Sequence, residues 1–249
     1  IFTTCGDLPT ATWVDELNPA SWKISSGLMT HIPIIRSLAK FNRPMIISTG
    51  LAEMDEIELA IAACVEEGNE QISLLKCTSI YPAPPEAIGL SAIRAIKDRF
   101  GYPVGFSDHS IGTEAAFLSV AAGATIIEKH FTFDTGRPGF DHRISLDSAE
   151  FTLLVSRVRL AEKICSQSGN EAIKDELQKN RKLYLRTIVA LRDIKQGEMF
   201  SQENLGVKRP IQGKRGSDPR YLDGIIGSFA SRDYSPNEPV SIQDIVRCP

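Results

Sequence analysis

Short apolar runs rich in β-branched residues recur along the first half of the sequence, and their spacing constrains the fold more than any other feature. They lie at Phe2–Thr4, Trp22–Ser25, Met45–Ser48, Ile72–Cys77, Val104–Ser107 and Ile126–Glu128. Successive runs are separated by roughly 20–30 residues, the length that a strand–helix–strand unit with parallel strands needs. We therefore predict an α/β domain built on a parallel sheet.

Helical patterns fill the intervals between these runs. The stretch DEIELAIAACVEEG has apolar residues at helical spacing and ends at Gly68, and TEAAFLSVAAGA precedes the run at Ile126 in the same way. Such a series suits an open doubly wound sheet or a (β/α)8 TIM barrel. No G-x-G-x-x-G motif follows any run, which weakens the dinucleotide-binding version of the doubly wound fold.

Composition and charge exclude several function classes. The formal net charge of −3 provides no basic surface for nucleic acid, and no stretch is apolar for long enough to span a membrane. The five cysteines are widely spaced and include no C-x-x-C pair, which favours free thiols in a reducing, cytoplasmic setting. The chain begins IFTTCGD without a methionine, so we expect a piece of a longer protein.

The character of the sequence changes near Glu162, which divides the chain into domains. Residues 1–165 form the predicted barrel domain, and the polar stretch 166–185 is interpreted as a linker or a frayed helix. Residues 186–249 form a small β module with a weak internal repeat, because RDIKQGEMFSQENL at 192–205 aligns with RDYSPNEPVSIQDI at 232–245.

Polar residues follow nearly all the predicted strands, at the carboxyl ends where a barrel builds its site. One lysine and a set of hydroxyl residues stand at these ends: Lys23, Thr4, Ser26, Ser48, Thr78, Ser79 and Ser107. A ring of short donors with one ammonium group suits a phosphate or a carboxylate. The alternative is that the hydroxyl groups only cap the helices that follow.

Two histidines, His109 and His130, end two consecutive predicted strands. Neighbouring strands lie about 5 Å apart, so the two imidazoles could share one divalent cation, with carboxylates and water completing its coordination. Such a site suits Mn²⁺, Mg²⁺ or another hard-to-borderline divalent ion such as Co²⁺ better than closed tetrahedral zinc. A structural role is the competing hypothesis for each histidine, and it is the one we favour for His31 and His142.

Two further segments have a functional and a structural interpretation. RPGFDHRISL at 137–146 reads either as an ordered loop over the site, with Asp141 orienting a substrate hydroxyl, or as a surface turn. KRPIQGKRG at 208–216 concentrates basic charge and is either a solvated face or a contact to an anionic substrate.

Taken together and in order, these motifs resemble the sialic acid synthase family. The resemblance is carried by KISSG, IISTG, LLKCTSIYPAPPE, VGFSDHSIG, AAGATIIEKHFTFDTGRPGFDHRISL and VALRDIKQGE with NLGVKRP. It implies a TIM barrel followed by an antifreeze-like β-clip called the SAF domain. Bacterial members of the family make N-acetylneuraminic, legionaminic or pseudaminic acid.

The resemblance also implies an activity and a set of site residues. The activity is the metal-dependent condensation of phosphoenolpyruvate with an N-acetylated mannosamine-type hexosamine, which gives a nine-carbon 2-keto acid and phosphate. His109 and His130 match the metal ligands of the family. Asp141 matches a residue near the sugar, and Arg209 matches an arginine that the partner subunit of a domain-exchanged homodimer contributes. The phosphoenolpyruvate contacts match Lys23, Ser26, Ser48, Tyr81 and Ser107, with Thr4 and Ser79 at two further positions.

Two departures from the family pattern leave other functions open. Leu28 stands where members usually carry an acid that contacts the acceptor sugar. The predicted strands number six of a barrel's eight, because about two N-terminal strand–helix units of the family pattern are missing. The alternatives are a phosphoenolpyruvate-condensing barrel with a different acceptor and a truncated, non-catalytic module that binds sugar or forms dimers.

Overall fold

The computed structural model describes residues 1–166 and 171–246. The chain divides into two compact units, Ile1–Ser166 and Gln167–Pro249. In the first unit, six parallel strands form one sheet in the order of the sequence: β1 (Thr3–Thr4), β2 (Trp22–Ile24), β3 (Met45–Ser48), β4 (Ile72–Cys77), β5 (Val104–Asp108) and β6 (Ile127–Lys129). Each predicted strand is thus confirmed to within two residues at either end.

The strand order decides between the two architectures that the sequence allowed. The strand order of a doubly wound sheet reverses at a switch point, whereas here each strand pairs only with strands adjacent to it in the chain. Sequential parallel neighbours with helical connections are the arrangement of a barrel wall. The first unit is an α/β fold whose sheet forms a half-barrel.

Helices connect the strands and cover one face of the sheet. They are α1 (Leu8–Asp15), α2 (Ile32–Ala39), α3 (Met54–Val65), α4 (Pro85–Ile88), α5 (Ser91–Phe100), α6 (Glu114–Ala121) and α7 (Ser148–Cys165). Local sequence sets several of their starts. Prolines occupy the first turns of α1 and α2, and a reciprocal pair of acids, Asp147 and Glu150, caps the start of α7.

Alternation along the strands separates an apolar face from a polar one. Trp22 and Ile24 of β2, and Met45 and Ile47 of β3, belong to the hydrophobic core beneath the helices. The residue between the first two, Lys23, lies on the opposite face, inside the curved sheet. The helices therefore cover only one side of each strand, and the other side is free to build a site.

The second unit begins with a helix and continues as short strands around a separate core. Helix α8 (Glu171–Tyr184) lies within the segment 166–185 that was interpreted as a linker or a frayed helix, and residues 167–170 of that segment are outside those described. The strands β7 (Thr187–Ala190) and β8 (Leu205–Lys208) are antiparallel, as are β9 (Phe229–Ala230) and β10 (Ile245–Val246), and α9 (Leu222–Ile225) lies between the two pairs in sequence.

The predicted internal repeat of this unit is visible in its contacts. Arg192 pairs with Glu198 at 2.8 Å, and the equivalent residues of the second half, Arg232 and Glu238, pair at 2.5 Å. The two halves also pair with each other, because the backbone groups of Ile194 and Tyr234 exchange hydrogen bonds. Residues 186–246 therefore consist of two similar turn-containing halves around one core.

The helices and the cysteines bear on membrane spanning and on disulfide bonds. Among the described residues, no helix is both long and apolar enough to cross a membrane. Cys5, Cys64, Cys77 and Cys165 are free thiols, and Cys248 lies outside the described residues.

Candidate active site

A cavity of about 510 Å³ opens at the carboxyl ends of β2 to β6, on the polar face of the sheet. Eight of the residues predicted for the site line it: Lys23, Ser26, Ser48, Ser79, Tyr81, Ser107, His109 and His130. They come from five successive strands or the turns that follow them. Glu128, Cys77 and Leu51, which were not among the predicted site residues, line the same cavity.

A larger cleft of about 640 Å³ lies between the loops that follow β4 and β5 and the helices α4 and α6. Its walls are mainly apolar, with Pro82, Leu90, Ile111 and Leu118 among them, and Glu114 is the single ionisable residue that lines it. Chemistry requires converging polar groups, so we place the candidate site in the strand-end cavity rather than in this cleft.

An ion pair between Lys23 and Glu128 crosses the strand-end cavity. Lys23 Nζ lies 3.3 Å from Glu128 Oε2 and donates a hydrogen bond of 2.8 Å to Ser48 Oγ. Ser107 Oγ in turn donates to Glu128 Oε1 at 2.6 Å. These four side chains come from β2, β3, β5 and β6, so the network spans the concave face of the sheet and orients the ammonium group of Lys23.

The contacts of His109 determine which of its ring nitrogens carries the proton. Its Nδ1 lies 2.8 Å from the carbonyl oxygen of Thr78. Because a carbonyl can only accept, Nδ1 carries the proton and Nε2 of the neutral ring is an acceptor that faces the cavity. Tyr81 OH lies 3.3 Å from this Nε2, and the Tyr81 ring stacks on the imidazole with centroids 4.2 Å apart.

Burial lowers the pKa of His109 below its ordinary value of 6.5, and the neighbouring His130 lowers it further, while the hydrogen bond to Thr78 opposes the shift. The neutral, metal-binding form of His109 is therefore favoured at neutral pH. Burial also raises the pKa of the Tyr81 phenol, which keeps this group protonated as a donor.

His130 lies across from His109, with ring centroids 5.4 Å apart. Its Nδ1 is 3.6 Å from Asp141 Oδ2, so Asp141 lies beside the histidine pair, although its side chain is more than half exposed. Among the described residues, no three His, Cys, Asp or Glu side chains converge closely enough to hold a metal ion. A cation here would be held by the two imidazoles, with its remaining positions open to water or substrate.

The donor set is compatible with such a cation. One imidazole has its tautomer set by a backbone carbonyl, as metal-binding histidines usually do. Among the carboxylates near the two rings, Glu128 is engaged with Lys23 and Ser107 rather than with a histidine.

Three serines of the cavity use their hydroxyl groups for contacts other than helix caps. Ser48 bonds to Lys23 and Ser107 to Glu128, while Ser26 Oγ accepts from the backbone N–H of Gly50 at 3.0 Å. These contacts favour the anion-binding interpretation over the capping one. Ser26 Oγ also lies 3.1 Å from Cys77 Sγ, which places the thiol in the same cradle.

Gly50 leaves the room in which this cradle forms. A Cβ at this position would lie 2.3 Å from Cys77 Sγ, 2.7 Å from Ser79 Oγ and 3.0 Å from Ser26 Oγ. The absence of a side chain at residue 50 therefore leaves room for three polar groups near the ends of β2 and β4 to pack together against this backbone.

Four of the predicted residues do not line the cavity: Thr4, Thr78, Asp141 and Arg209. Thr78 Oγ1 donates to the carbonyl oxygen of Ala87 at 2.9 Å, and Asp141 lies beside His130. Thr4 pairs in register with Lys23 and so faces the same side of the sheet, but it is exposed and does not line the cavity. Arg209 belongs to the second unit, where its guanidinium group lies 5.1 Å from the Tyr184 ring centroid.

Leu28 and the two remaining histidines have structural roles. The Leu28 side chain packs against the hydrophobic core and does not line the cavity. His31 Nδ1 accepts from Ile34 N at the start of α2, and His142 Nδ1 lies 2.7 Å from Thr132 Oγ1.

Comparison with known proteins gives the family. Residues 1–170 match the NeuB family, and residues 186–246 match the SAF domain. This chain is a member of the NeuB family. It is 39% identical over 234 residues to N,N'-diacetyllegionaminic acid synthase of Campylobacter jejuni, covering 93% of this chain and 69% of that protein. Pseudaminic acid synthase of the same species is 37% identical over 221 residues, covering 89% of this chain and 63% of that protein.

A solved structure supports the same assignment. The N-acetylneuraminic acid synthetase of Leptospira borgpetersenii, crystallised with citrate, superposes with a TM-score of 0.67 at 32% identity, covering 72% of this chain and 64% of that one. The resemblance to sialic acid synthases that the motifs indicated is thereby confirmed at the level of the family.

The first prediction concerns the protonation of His109 in this NeuB-family chain. We expect its imidazole to titrate below 6.5 in the folded protein and near 6.5 after unfolding in denaturant. Because the folded state binds fewer protons in that window, the free energy of unfolding should fall as the pH is lowered through it. NMR titration of the ring protons, assigned with His109→Gln, measures both midpoints. A folded-state midpoint at or above 6.5 would contradict the account.

The second prediction concerns the cradle at Gly50. Gly50→Ala should weaken the binding of inorganic phosphate about tenfold, because the added methyl displaces the groups around Ser26. Gly6→Ala is the matched control, since a Cβ at Gly6 would meet nothing within 4 Å. Calorimetric titration measures both. Equal phosphate affinity in the two variants would show that the cradle does not bind the anion.

Proposed function

We propose that this chain is the core of a synthase that condenses phosphoenolpyruvate with an N-acetylated hexosamine of the mannosamine type. The products would be a nine-carbon 2-keto sugar acid and phosphate, with cleavage of the C–O bond of phosphoenolpyruvate. The proposal rests on one observation: a single strand-end cavity is lined by one ammonium group, several serine hydroxyls and a histidine pair. The relatives named as legionaminic, pseudaminic and N-acetylneuraminic acid synthases support it.

The anionic substrate would bind where the donors converge. Lys23 supplies positive charge, and the hydroxyls of Ser26, Ser48, Ser79 and Ser107 supply short hydrogen bonds to phosphate or carboxylate oxygens. The Tyr81 hydroxyl, beside His109, would donate a hydrogen bond to the substrate. Thr4 would be a further contact if the substrate extends toward β1. Glu128 keeps the Lys23 ammonium aimed into the cavity.

In the reaction, C3 of phosphoenolpyruvate forms a bond to the aldehyde carbon of the sugar, and water adds to C2. The tetrahedral adduct then loses phosphate, so one water is consumed for each phosphate released. The residues that hold the phosphate, above all Lys23, would stabilise the charge on the leaving group because they are already positioned for it. Asp141 beside His130 would bind a sugar hydroxyl.

A divalent cation, with Mn²⁺ preferred and Mg²⁺ or Co²⁺ as alternatives, would be held by His109 and His130. When bound, it would supply Lewis-acid polarisation of the sugar carbonyl. The hydrogen bond from His109 Nδ1 to Thr78 keeps the other ring nitrogen available for this role.

The proposed assembly extends beyond the single chain. We place the six-stranded sheet within a (β/α)8 barrel and residues 186–246 in a β-clip SAF domain. In a domain-exchanged homodimer, Arg209 of one subunit would reach the sugar bound in the other. The free cysteines suit a cytoplasmic enzyme of this kind.

One observation favours a second candidate, a phosphoenolpyruvate-condensing barrel with a different acceptor. Leu28 packs against the core and cannot bind sugar hydroxyls as the acid expected there would. An acceptor that needs no hydrogen bond to residue 28 would bind without this acid.

The third prediction tests the proposed activity by phosphate release from phosphoenolpyruvate with Mn²⁺ and a panel of N-acetylated hexosamines. We expect release with at least one acceptor and a loss of about 10²-fold or more in Lys23→Met, because a preorganised donor to the leaving group is removed. His109→Ala should also abolish release.

His31→Ala is the matched control, because His31 caps a helix and does not line the cavity. It should retain release once the amount of folded protein is equalised. Release by no acceptor from the wild-type protein, or release unchanged in Lys23→Met, would refute the synthase proposal. Mn²⁺ binding without release would favour the non-catalytic module.

A further inference from the structure

The motifs SDH and EKH each contain a charged residue that the proposed function does not use. Asp108 precedes His109, and Lys129 precedes His130. Since side chains alternate along a strand, Asp108 and Lys129 face away from the cavity that the two histidines line. Their side chains are 0% and 1% exposed, which makes them the most deeply buried ion pair among the described residues.

Lys129 contacts both ends of the turn that presents His109. Its Nζ lies 3.0 Å from Asp108 Oδ2 and also donates to the carbonyl oxygen of Ser110. The other carboxylate oxygen of Asp108 accepts from Ser110 N at 2.8 Å and from Ser110 Oγ at 2.7 Å. One ammonium group on β6 therefore bonds to the residue before His109 and to the residue after it.

Backbone pairing alone does not hold the two histidines at their separation. The ladder between β5 and β6 ends at the pair Asp108 and Lys129. Beyond it, the His109 carbonyl accepts from Ala83 N at 3.0 Å, whereas the His130 carbonyl accepts from Leu146 N at 2.9 Å. The two segments thus turn toward different neighbours at the residues whose rings lie 5.4 Å apart.

Stability alone does not explain why a chain contains a buried ion pair. Removing two charges from water costs roughly as much as their attraction returns, so such pairs are often replaceable by apolar residues without loss. Their best-supported use is to specify one arrangement among several. Here the arrangement specified is the position of the Asp108–Ser110 turn relative to β6.

We propose that Lys129, through Asp108 and Ser110, is a positioning residue that keeps His109 at metal-binding distance from His130. This inference rests on the proposed function for the role of the cation. Lys129 does not line the strand-end cavity, and it acts from the opposite face of the sheet.

The fourth prediction uses three variants. Lys129→Met leaves the Asp108 charge buried without a partner and should lower both the denaturant midpoint and the Mn²⁺ affinity. The double variant Asp108→Asn with Lys129→Met removes both charges and should regain most of the midpoint. Its dissociation constant for Mn²⁺ should still rise about tenfold or more, the usual effect of losing a residue that orients a metal ligand.

Arg43→Met is the matched control. Arg43 forms a partly buried ion pair with Asp15 at 2.6 Å and precedes β3, at the end of the sheet away from the cavity. This variant should lower the midpoint and leave Mn²⁺ affinity unchanged. Calorimetry and the electron paramagnetic resonance spectrum of bound Mn²⁺ measure binding, and denaturant titration measures stability.

Hydrogen exchange of the metal-free protein gives a second readout. Amides of residues 108–112 should exchange faster in the double variant than in the wild-type protein, and those of β2 and β3 should not change. If the double variant binds Mn²⁺ as the wild type does, or if exchange at residues 108–112 is unchanged, the positioning role is overturned. If the wild-type protein binds no Mn²⁺, the metal in the proposed function is refuted, and the exchange result alone decides whether Lys129 holds the turn.

Discussion

The ion pair between Lys23 and Glu128 is the contact on which the rest of the site depends. Three strands separate β2 from β6, so in a flat sheet their backbones would be about 19 Å apart at the usual strand spacing of about 4.8 Å, too far for these two side chains to meet. Nζ and Oε2 are instead 3.3 Å apart. This distance requires the sheet to curl, and the curl turns a row of strand ends into a cavity with walls on several sides.

Side chains alternate between the two faces of each strand, and this alternation separates the core residues from the residues of the site. Residues such as Trp22 and Ile47 are buried beneath the helices, and the intervening residues meet inside the curve. Near the end of β5 and β6 the same alternation separates two tasks. Ser107, Glu128 and the two histidines face the cavity, while Asp108 and Lys129 are sealed on the other side, where their pairing is not exposed to substrate.

Much of this arrangement can be predicted from residue patterns, because the strands and the residues at their ends depend on local sequence. β-branched runs at regular spacing predict the six parallel strands, and polar residues at their carboxyl ends predict most of the cavity lining. Glu128 could have been found by the same logic, since it lies two residues before His130 and so faces the same side. Gly50 carries no such signal, because its importance depends on the approach of Cys77 and Ser79 from a neighbouring strand.

Other features depend on tertiary contacts that no pattern specifies. The place of Leu28 in the core is set by how its short helical turn packs, and a leucine is equally compatible with a cavity wall. The choice between a doubly wound sheet and a barrel depends on which strands pair, which the spacing of the runs leaves open. Asp141 lies in a loop, and its approach to His130 follows from the path of that loop.

The histidine pair and the Lys23 network line one cavity, and we propose that they form one site for a divalent cation and an anionic substrate. Crystals grown with MnCl₂ and phosphoenolpyruvate, and measured at the manganese absorption edge, test it directly. We expect an anomalous peak between His109 and His130, and phosphate density beside Lys23 and Ser26. A strand-end cavity without a manganese peak, or phosphoenolpyruvate bound elsewhere on the protein, would contradict it.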